Sequence, residues 1–394
     1  MAKVLMGCVN YWTSPFQVGS HHLARQFVRA GYEVGFLSEP ITPLHFLGRP
    51  GRDLARRLGL YLCPRRFEGG KLWTGVPGAL LAPHHSPGLR AAWLLDGWWK
   101  LSYPSLVRTI ARRGFQEVDV LYLDSVKHHF WLDQVRAKCS IYRVADYNAG
   151  FGNFTGAMRR LEERLIRTVD IVAYSSERLG EVVRKLGPRH MVYLPNGVDF
   201  DHFQGSRALP PEYARLPGPR VVYVGALDVW FDYELLTHAA QQLPKVSFVL
   251  IGPDRTARAR LKGLTNVHLI GPRPYVQLPA YLQHADAGII PFDVGGRPDL
   301  VHAVNPLKLY ECLACGLPVI ATAWEALRAL RSPAYLTTTP QEFVHELRRA
   351  LATPHDRTSY MQYAARMDWA RCASSLFHLV KGLTACGTPT RLAG

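Results

Sequence analysis

Lys308 and Glu311 stand three residues apart in the stretch NPLKLYECLACGLPVIAT, residues 305–322. On a helix that spacing puts both side chains on one face. Asn305 followed by Pro306 predicts an N-cap and a first-turn proline, because an Asn oxygen accepts a free backbone N–H and proline has none to leave unpaired. Gly316 ends the helix, Pro318 prevents its continuation, and VIAT reads as a buried parallel strand. The helix follows the strand AGIIPF, so its N-terminus lies at the carboxyl end of that strand, where doubly wound sheets bind ligands. Free N–H groups and the helix dipole there favour a phosphate. Lys308 would add a positive charge to a diphosphate, and Glu311, one turn deeper, would accept hydrogen bonds from ribose hydroxyls. A capped core helix with a surface ion pair uses the same residues, and the spacing alone leaves both readings open.

Other chemistries lack their residues. No G-x-G-x-x-G follows the first strand of either half, and the loop VGALDVWFD offers one glycine, Gly225, which disfavours a nicotinamide or flavin dinucleotide. There is no Walker A pattern. Cys312 and Cys315 form a C-x-x-C inside an apolar helix, with no second Cys or His pair to complete a metal site. The doublets His21-His22, His84-His85 and His128-His129 lack an H-E-x-x-H context, so a zinc hydrolase is disfavoured. A lysine with a helix N-terminus can neutralise a diphosphate, so no metal is expected.

These residues need a scaffold, and the chain alternates as a parallel sheet requires. KVLMGCV, the helix in HHLARQFVRAGYEVGFLSEP and the strand after Gly31 make a first β-loop-α-β unit, whose loop from Asn10 to Ser20 lies at the ligand end and adjoins Gly19 and His21. Residues 41–115 are basic and Trp-rich, and fit either core helices with solvated Arg faces or a membrane-surface segment. Strands then return at VDVLYLDS, SIYRVADYN, DIVAYSS and MVYLPNGVD, with a helix expected over about 127–138. A linker with four prolines spans 200–219, and the pattern begins again from RVVYVGALD. The expected layout is α/β: two doubly wound, Rossmann-like domains facing a cleft, at 1–199 and 220–367, with 368–394 a terminal helical run.

The 394 residues hold 48% hydrophobic side chains, no apolar run long enough for a membrane span and seven scattered cysteines, which together predict a reduced, cytoplasmic globular protein. Net charge is +16, and residues 1–200 carry 27 Lys and Arg against 16 Asp and Glu, an excess of 11 of the 16 charges. Such a field attracts nucleic acid, phospholipid headgroups or phosphorylated substrates without choosing among them.

NPLKLYECLACGLPVIAT, with PNGVD at 195–199, HADAGIIPF at 284–292 and YVGALDVWFDYELL at 223–236, resembles bacterial GT-B glycosyltransferases, more narrowly the branch of the teichuronic-acid and xanthan glucuronosyltransferases. The resemblance covers nearly the whole chain, most weakly at 41–115. It implies a second domain that holds a UDP-sugar, with Asn305, Pro306, Lys308 and Glu311 at the donor and Lys308 near the diphosphate. GPRPY at 271–275 matches the uracil-holding stretch, so Arg273 and Tyr275 are candidates there. It implies an acceptor domain in which Asp146 of SIYRVADYNAGFGN is the general base of an inverting transfer, with Asp124 of LYLDS in reserve. Larger retaining families carry an acid eight positions before the ribose glutamate, and here that position is Ala303. The partners implied are a UDP-sugar and a saccharide or lipid-diphosphate acceptor at the inner face of an anionic cytoplasmic membrane, without nucleic acid. Arg297 would meet the carboxylate if the sugar is glucuronate. The last helix is expected to cross back onto the first domain.

Overall fold

The computed structural model describes residues 1–47, 51–83 and 88–385, which leaves His84-His85 outside the described residues. The chain divides into two compact units, Met1–Pro195 together with the segment from Ala373, and Asn196–Cys372.

The first unit is built on eight strands: β1 (Lys3–Cys8), β2 (Glu33–Ser38), β3 (Arg65–Phe67), β4 (Leu72–Gly75), β5 (Glu117–Leu123), β6 (Arg136–Val144), β7 (Ile171–Tyr174) and β8 (His190–Tyr193), in the order β3-β4-β2-β1-β5-β6-β7-β8. All pairs are parallel except β3 with β4. β1 after Lys3 and β5 after Asp119 are continuous buried runs because helices cover both faces of the sheet. The helix Ser374–Ala385 belongs to this unit, with Leu376 and Val380 buried and Phe377 packed on Phe27.

The second unit has six parallel strands: β9 (Arg220–Val224), β10 (Ser247–Ile251), β11 (Val267–Leu269), β12 (Ala287–Ile290), β13 (Val319–Thr322) and β14 (Tyr335–Thr337), ordered β11-β10-β9-β12-β13-β14. Both sheets reverse strand order beside their first strand, the pattern of doubly wound folds.

Three expectations change. Residues 200–219 are not a free linker: Phe203 and Tyr213 are buried in the second unit's core, and Gln204 donates to the Ala314 carbonyl at 3.0 Å. Prolines shape this segment, but its aromatic residues find a core to enter. The helix expected over 127–138 shrinks to a 3-10 turn at Val126–His128 and one turn at Trp131–Gln134, because β6 starts at Arg136 and extends the sheet. Residues 65–75 supply the strands β3 and β4, too short and too rich in glycine nearby to show a clear period.

Candidate active site

In the second unit the residues singled out by spacing gather at the carboxyl ends of β9 and β12. The helix Leu307–Ala314 is preceded by Pro306 at the N-cap, with φ −85° and ψ 116°. Asn305 does not cap it, since its side-chain oxygen accepts from the Tyr310 hydroxyl at 2.8 Å and its carbonyl accepts from Asn196 Nδ2 at 2.6 Å. The expected cap and first-turn positions therefore move by one residue, and no side chain caps the first turn. Gly316 ends the helix with φ +72°, the left-handed turn that glycine allows.

Lys308 projects from that first turn over two rings, its Nζ 4.8 Å from the Phe292 centroid and 5.4 Å from that of Tyr223. Ring faces carry negative potential and hold a cation without cancelling its charge. The lysine stem also lies over Gly225. A Cβ at Gly225 would come within 2.9 Å of Lys308 Cε, and its φ of +150° suits glycine alone. Gly225 in turn donates its N–H to the Ile251 carbonyl at 2.9 Å, and a Cβ at Gly252 would overlap the Gly225 carbonyl oxygen. The two strand ends thus pack backbone on backbone beside one cation, Gly225 partly exposed and Gly252 buried beneath it. Gly252, in VLIGP, was missed by motif reading; its signal is a glycine directly after a strand.

Glu311 is only 7% exposed, which a solvated surface pair is not. Burial lifts its pKa to about 7, while Lys308 pulls in the opposite direction. No group among the described residues hydrogen-bonds its carboxyl, so the acid can still take a ligand's hydroxyls.

Arg273 is placed otherwise than expected. Its guanidinium donates to Glu212 at 2.6 Å, to the Tyr281 hydroxyl at 2.9 Å and to the Ile270 carbonyl at 2.8 Å. It braces the 200–219 segment instead of presenting a free fork. Tyr275 stacks on His202 with centroids 4.4 Å apart and ring planes 9° apart, so one ring face is occupied within the unit. Arg297 is exposed and precedes the single turn Pro298–Val301. Ala303 is buried. Cys312 packs against Gly288 in the core.

In the first unit, Asp146 is exposed two residues beyond the end of β6. Its loop is anchored by Asn148, which donates to Glu162 at 2.7 Å, and Glu162 also accepts from the Tyr142 hydroxyl at 2.8 Å. Asp124 follows β5 and is committed: Val9 N–H donates to it at 2.8 Å and Ser20 Oγ donates to its other oxygen. Burial raises its pKa to about 6, and those bonds oppose the rise. It ties β1 to the start of the helix Gly19–Arg29. Gly19 opens that helix because any Cβ would collide with the Arg143 guanidinium. His21 is a correction: it is fully buried, its Nδ1 accepts from Val18 N–H at 3.2 Å and its Nε2 donates to the Tyr11 carbonyl at 3.0 Å. Burial drops its pKa to about 4, so it is a neutral pin inside the loop, buried away from solvent. Glu39 and Lys127, unremarked in the sequence, form a 2.6 Å ion pair at the ends of β2 and β5. Among the described residues no three His, Cys, Asp or Glu side chains converge as metal ligands.

Residues 6–175 match the family model for the N-terminal domain of the glucuronosyltransferase GumK, and residues 218–353 match that of glycosyl transferases group 1. The chain belongs to the bacterial GT-B glycosyltransferases. It is 30% identical over 215 residues to the Bacillus subtilis strain 168 protein TuaH, described as a teichuronic acid biosynthesis glycosyltransferase; the match covers 51% of this chain and 53% of TuaH. The chain therefore spans about half the length of the curated relative that it matches. Sucrose-phosphate synthase from Thermosynechococcus elongatus superposes with a TM-score of 0.69 at 17% identity, covering 97% of this chain and 100% of that one. Anabaena HepE in complex with UDP and glucose gives 0.59 at 16%, covering 98% of each chain. The Escherichia coli trehalose-6-phosphate protein bound with UDP-2-fluoro glucose gives 0.65 at 12%, covering 99% of this GT-B chain and 100% of that one. At these identities the structures establish the shared GT-B fold.

Proposed function

We propose that this GT-B chain transfers a sugar from a UDP-sugar to a saccharide or lipid-linked saccharide acceptor. The observation that carries the reading is Lys308 at a helix N-terminus without a side-chain cap, beside the backbone of Gly225, which packs on the buried Gly252. Such a setting suits a diphosphate: backbone approaches closely, N–H groups face the anion and a cation lies within reach. Glu311 would bind the ribose hydroxyls. UDP in the HepE complexes and UDP-2-fluoro glucose in the trehalose-6-phosphate protein support a uridine nucleotide.

Asp146 serves as general base, taking the proton from an acceptor hydroxyl as that oxygen attacks C1 opposite the departing UDP, with inversion. Asp146 is exposed, whereas Asp124 is held by Val9 and Ser20. Lys308 and the helix end stabilise the leaving diphosphate, so transfer runs without a metal. The GumK-type match favours glucuronate as the donor sugar. Leu62, Leu80, Trp93 and Tyr103 are exposed in the basic region 41–115, which suits contact with an anionic membrane from the cytoplasmic side. No helix among the described residues is long and apolar enough to cross a membrane.

The decisive experiment measures turnover of UDP-glucuronate and UDP-glucose with and without EDTA, alongside Asp146→Asn. Wild-type turnover in EDTA, inverted product, and a loss of roughly 10²- to 10⁴-fold in Asp146→Asn with UDP affinity retained are expected. Full activity in Asp146→Asn removes the base assignment, and retained configuration removes inversion. Equal sedimentation with and without anionic liposomes removes the membrane contact.

A further inference from the structure

Trp324 belongs to none of the motifs, yet it meets the setting of Lys308 at two places. It is 1% exposed and follows β13, at the N-cap of the helix Glu325–Ala329. Its indole N–H donates to the Val304 carbonyl at 2.8 Å, two residues before the N-cap of the helix that carries Lys308. Its ring stacks on Phe292, with centroids 5.2 Å apart and planes 27° apart. Phe292 is one of the two rings against the Lys308 ammonium, at 4.8 Å. One side chain therefore holds both the segment that leads into the lysine's helix and the ring on which the lysine's charge rests.

The backbone around these contacts is fixed from several sides. The Thr322 hydroxyl accepts from Phe292 N–H at 3.0 Å and donates to its carbonyl at 2.9 Å, and Phe292 forms an antiparallel bridge with Phe231. Ala326 N–H donates to the His302 carbonyl at 3.1 Å, a second tie between the start of the Glu325–Ala329 helix and the segment before Lys308. With its backbone held, the Phe292 ring takes its direction from its own side-chain torsions and from the indole packed on it. An indole suits this place, because its flat face stacks while its N–H satisfies a carbonyl.

An ammonium on a four-carbon stem is a mobile point charge, and confining it when an anion binds costs rotamer entropy. Ring faces that hold it beforehand reduce that cost. A tryptophan that only fills the core would have the same burial, but the two contacts of Trp324 converge on one cation. We propose that Trp324 and Phe292 are a positioning pair for the donor diphosphate, setting where the Lys308 ammonium rests before UDP binds. This rests on the reading of Lys308 as the diphosphate contact, and adds which residues decide the place of its charge. Both act through Lys308.

The test is a double-mutant cycle read by calorimetric titration of the full chain with UDP. Trp324→Phe keeps a ring but removes the N–H and part of the stacked face, and should weaken UDP roughly three- to tenfold. Phe292→Leu keeps apolar volume but removes the ring face, and should weaken UDP to a similar degree. In a Lys308→Ala background each should change UDP affinity by less than about twofold, because the cation that they place is gone. A residue that only supports the fold lowers affinity by the same factor in both backgrounds. That result overturns the inference, as does unchanged UDP affinity in either single variant, and a loss of UDP in Lys308→Ala then leaves the donor reading standing. Wild-type UDP affinity in Lys308→Ala removes the donor reading and the inference with it. If Trp324→Phe does not fold, the Phe292→Leu cycle decides by the same comparison.

Discussion

The two polar clusters use the same residue types to opposite ends. In the second unit, Lys308 lies against ring faces and glycine backbone, and Glu311 is buried without a hydrogen-bond partner among the described residues. In the first unit, Glu39 and Lys127 are joined to each other, Asp124 is tied to Ser20 and Val9, and His21 is locked neutral. One cluster is therefore seated on rings and backbone, and the other is tied to itself. The lesson is that net charge does not locate an anion site. The first half holds most of the positive excess, yet Glu39 and Lys127 there are paired with each other.

The largest expected effect tests the backbone of the charged site. Gly252→Ala should cost about 3 kcal/mol of stability or more, because its Cβ meets the Gly225 carbonyl and neither strand end can give way. Chemical denaturation reads it, and a loss below about 1 kcal/mol would show that the close approach is not required. Next, Lys308→Ala should weaken UDP by about 1 to 3 kcal/mol in calorimetry. Unchanged UDP affinity would remove Lys308 from the diphosphate and with it the contrast between the clusters.

The third effect is a pH dependence. Glu311 has its folded pKa raised to about 7 from a reference of 4.5, so the folded state holds this proton more tightly than the unfolded chain. Its contribution to stability is then fully present below about pH 4.5 and is lost as pH rises through about 7. Ligand binding should run the other way, because the carboxylate is the form that accepts ribose hydroxyls: UDP affinity should rise across pH 6 to 8, on the order of severalfold. Glu311→Gln should flatten both profiles, and an unchanged slope would place the titrating group elsewhere.

The smallest effect concerns Arg273. As a brace to Glu212, its replacement by Ala should cost about 1 kcal/mol of stability, since the pair is partly exposed, with little change in UDP affinity. A large loss of UDP binding at unchanged stability would return Arg273 to the base-contact role implied by resemblance.

The helix carrying Lys308 and Glu311 was legible because its residues lie in one run. Lys308, Glu311 and Gly316 are fixed to each other by helical period and a glycine stop, and the strands on either side announce themselves as apolar runs. The misreadings are those in which a distant partner intervened. Asn305 gave its side chain to Tyr310, and Arg273 gave its own to Glu212, 61 residues away. The 200–219 segment carried the composition of a linker, but Phe203 and Tyr213 found a core to enter. On the first unit's side, Glu39 and Lys127 come together from positions 88 apart, and no local pattern joins them.

By itself the sequence determined what period and backbone chemistry determine: alternating strands and helices, two doubly wound halves, the helix carrying Lys308 and Glu311, and the glycine that ends it. Local rules suffice there, because each residue's neighbours in the chain are also its neighbours in the element. Only the tertiary structure decided which distant groups each charge meets. That depends on which loops meet at the ends of a sheet, and the meeting is set by packing between residues far apart in the chain.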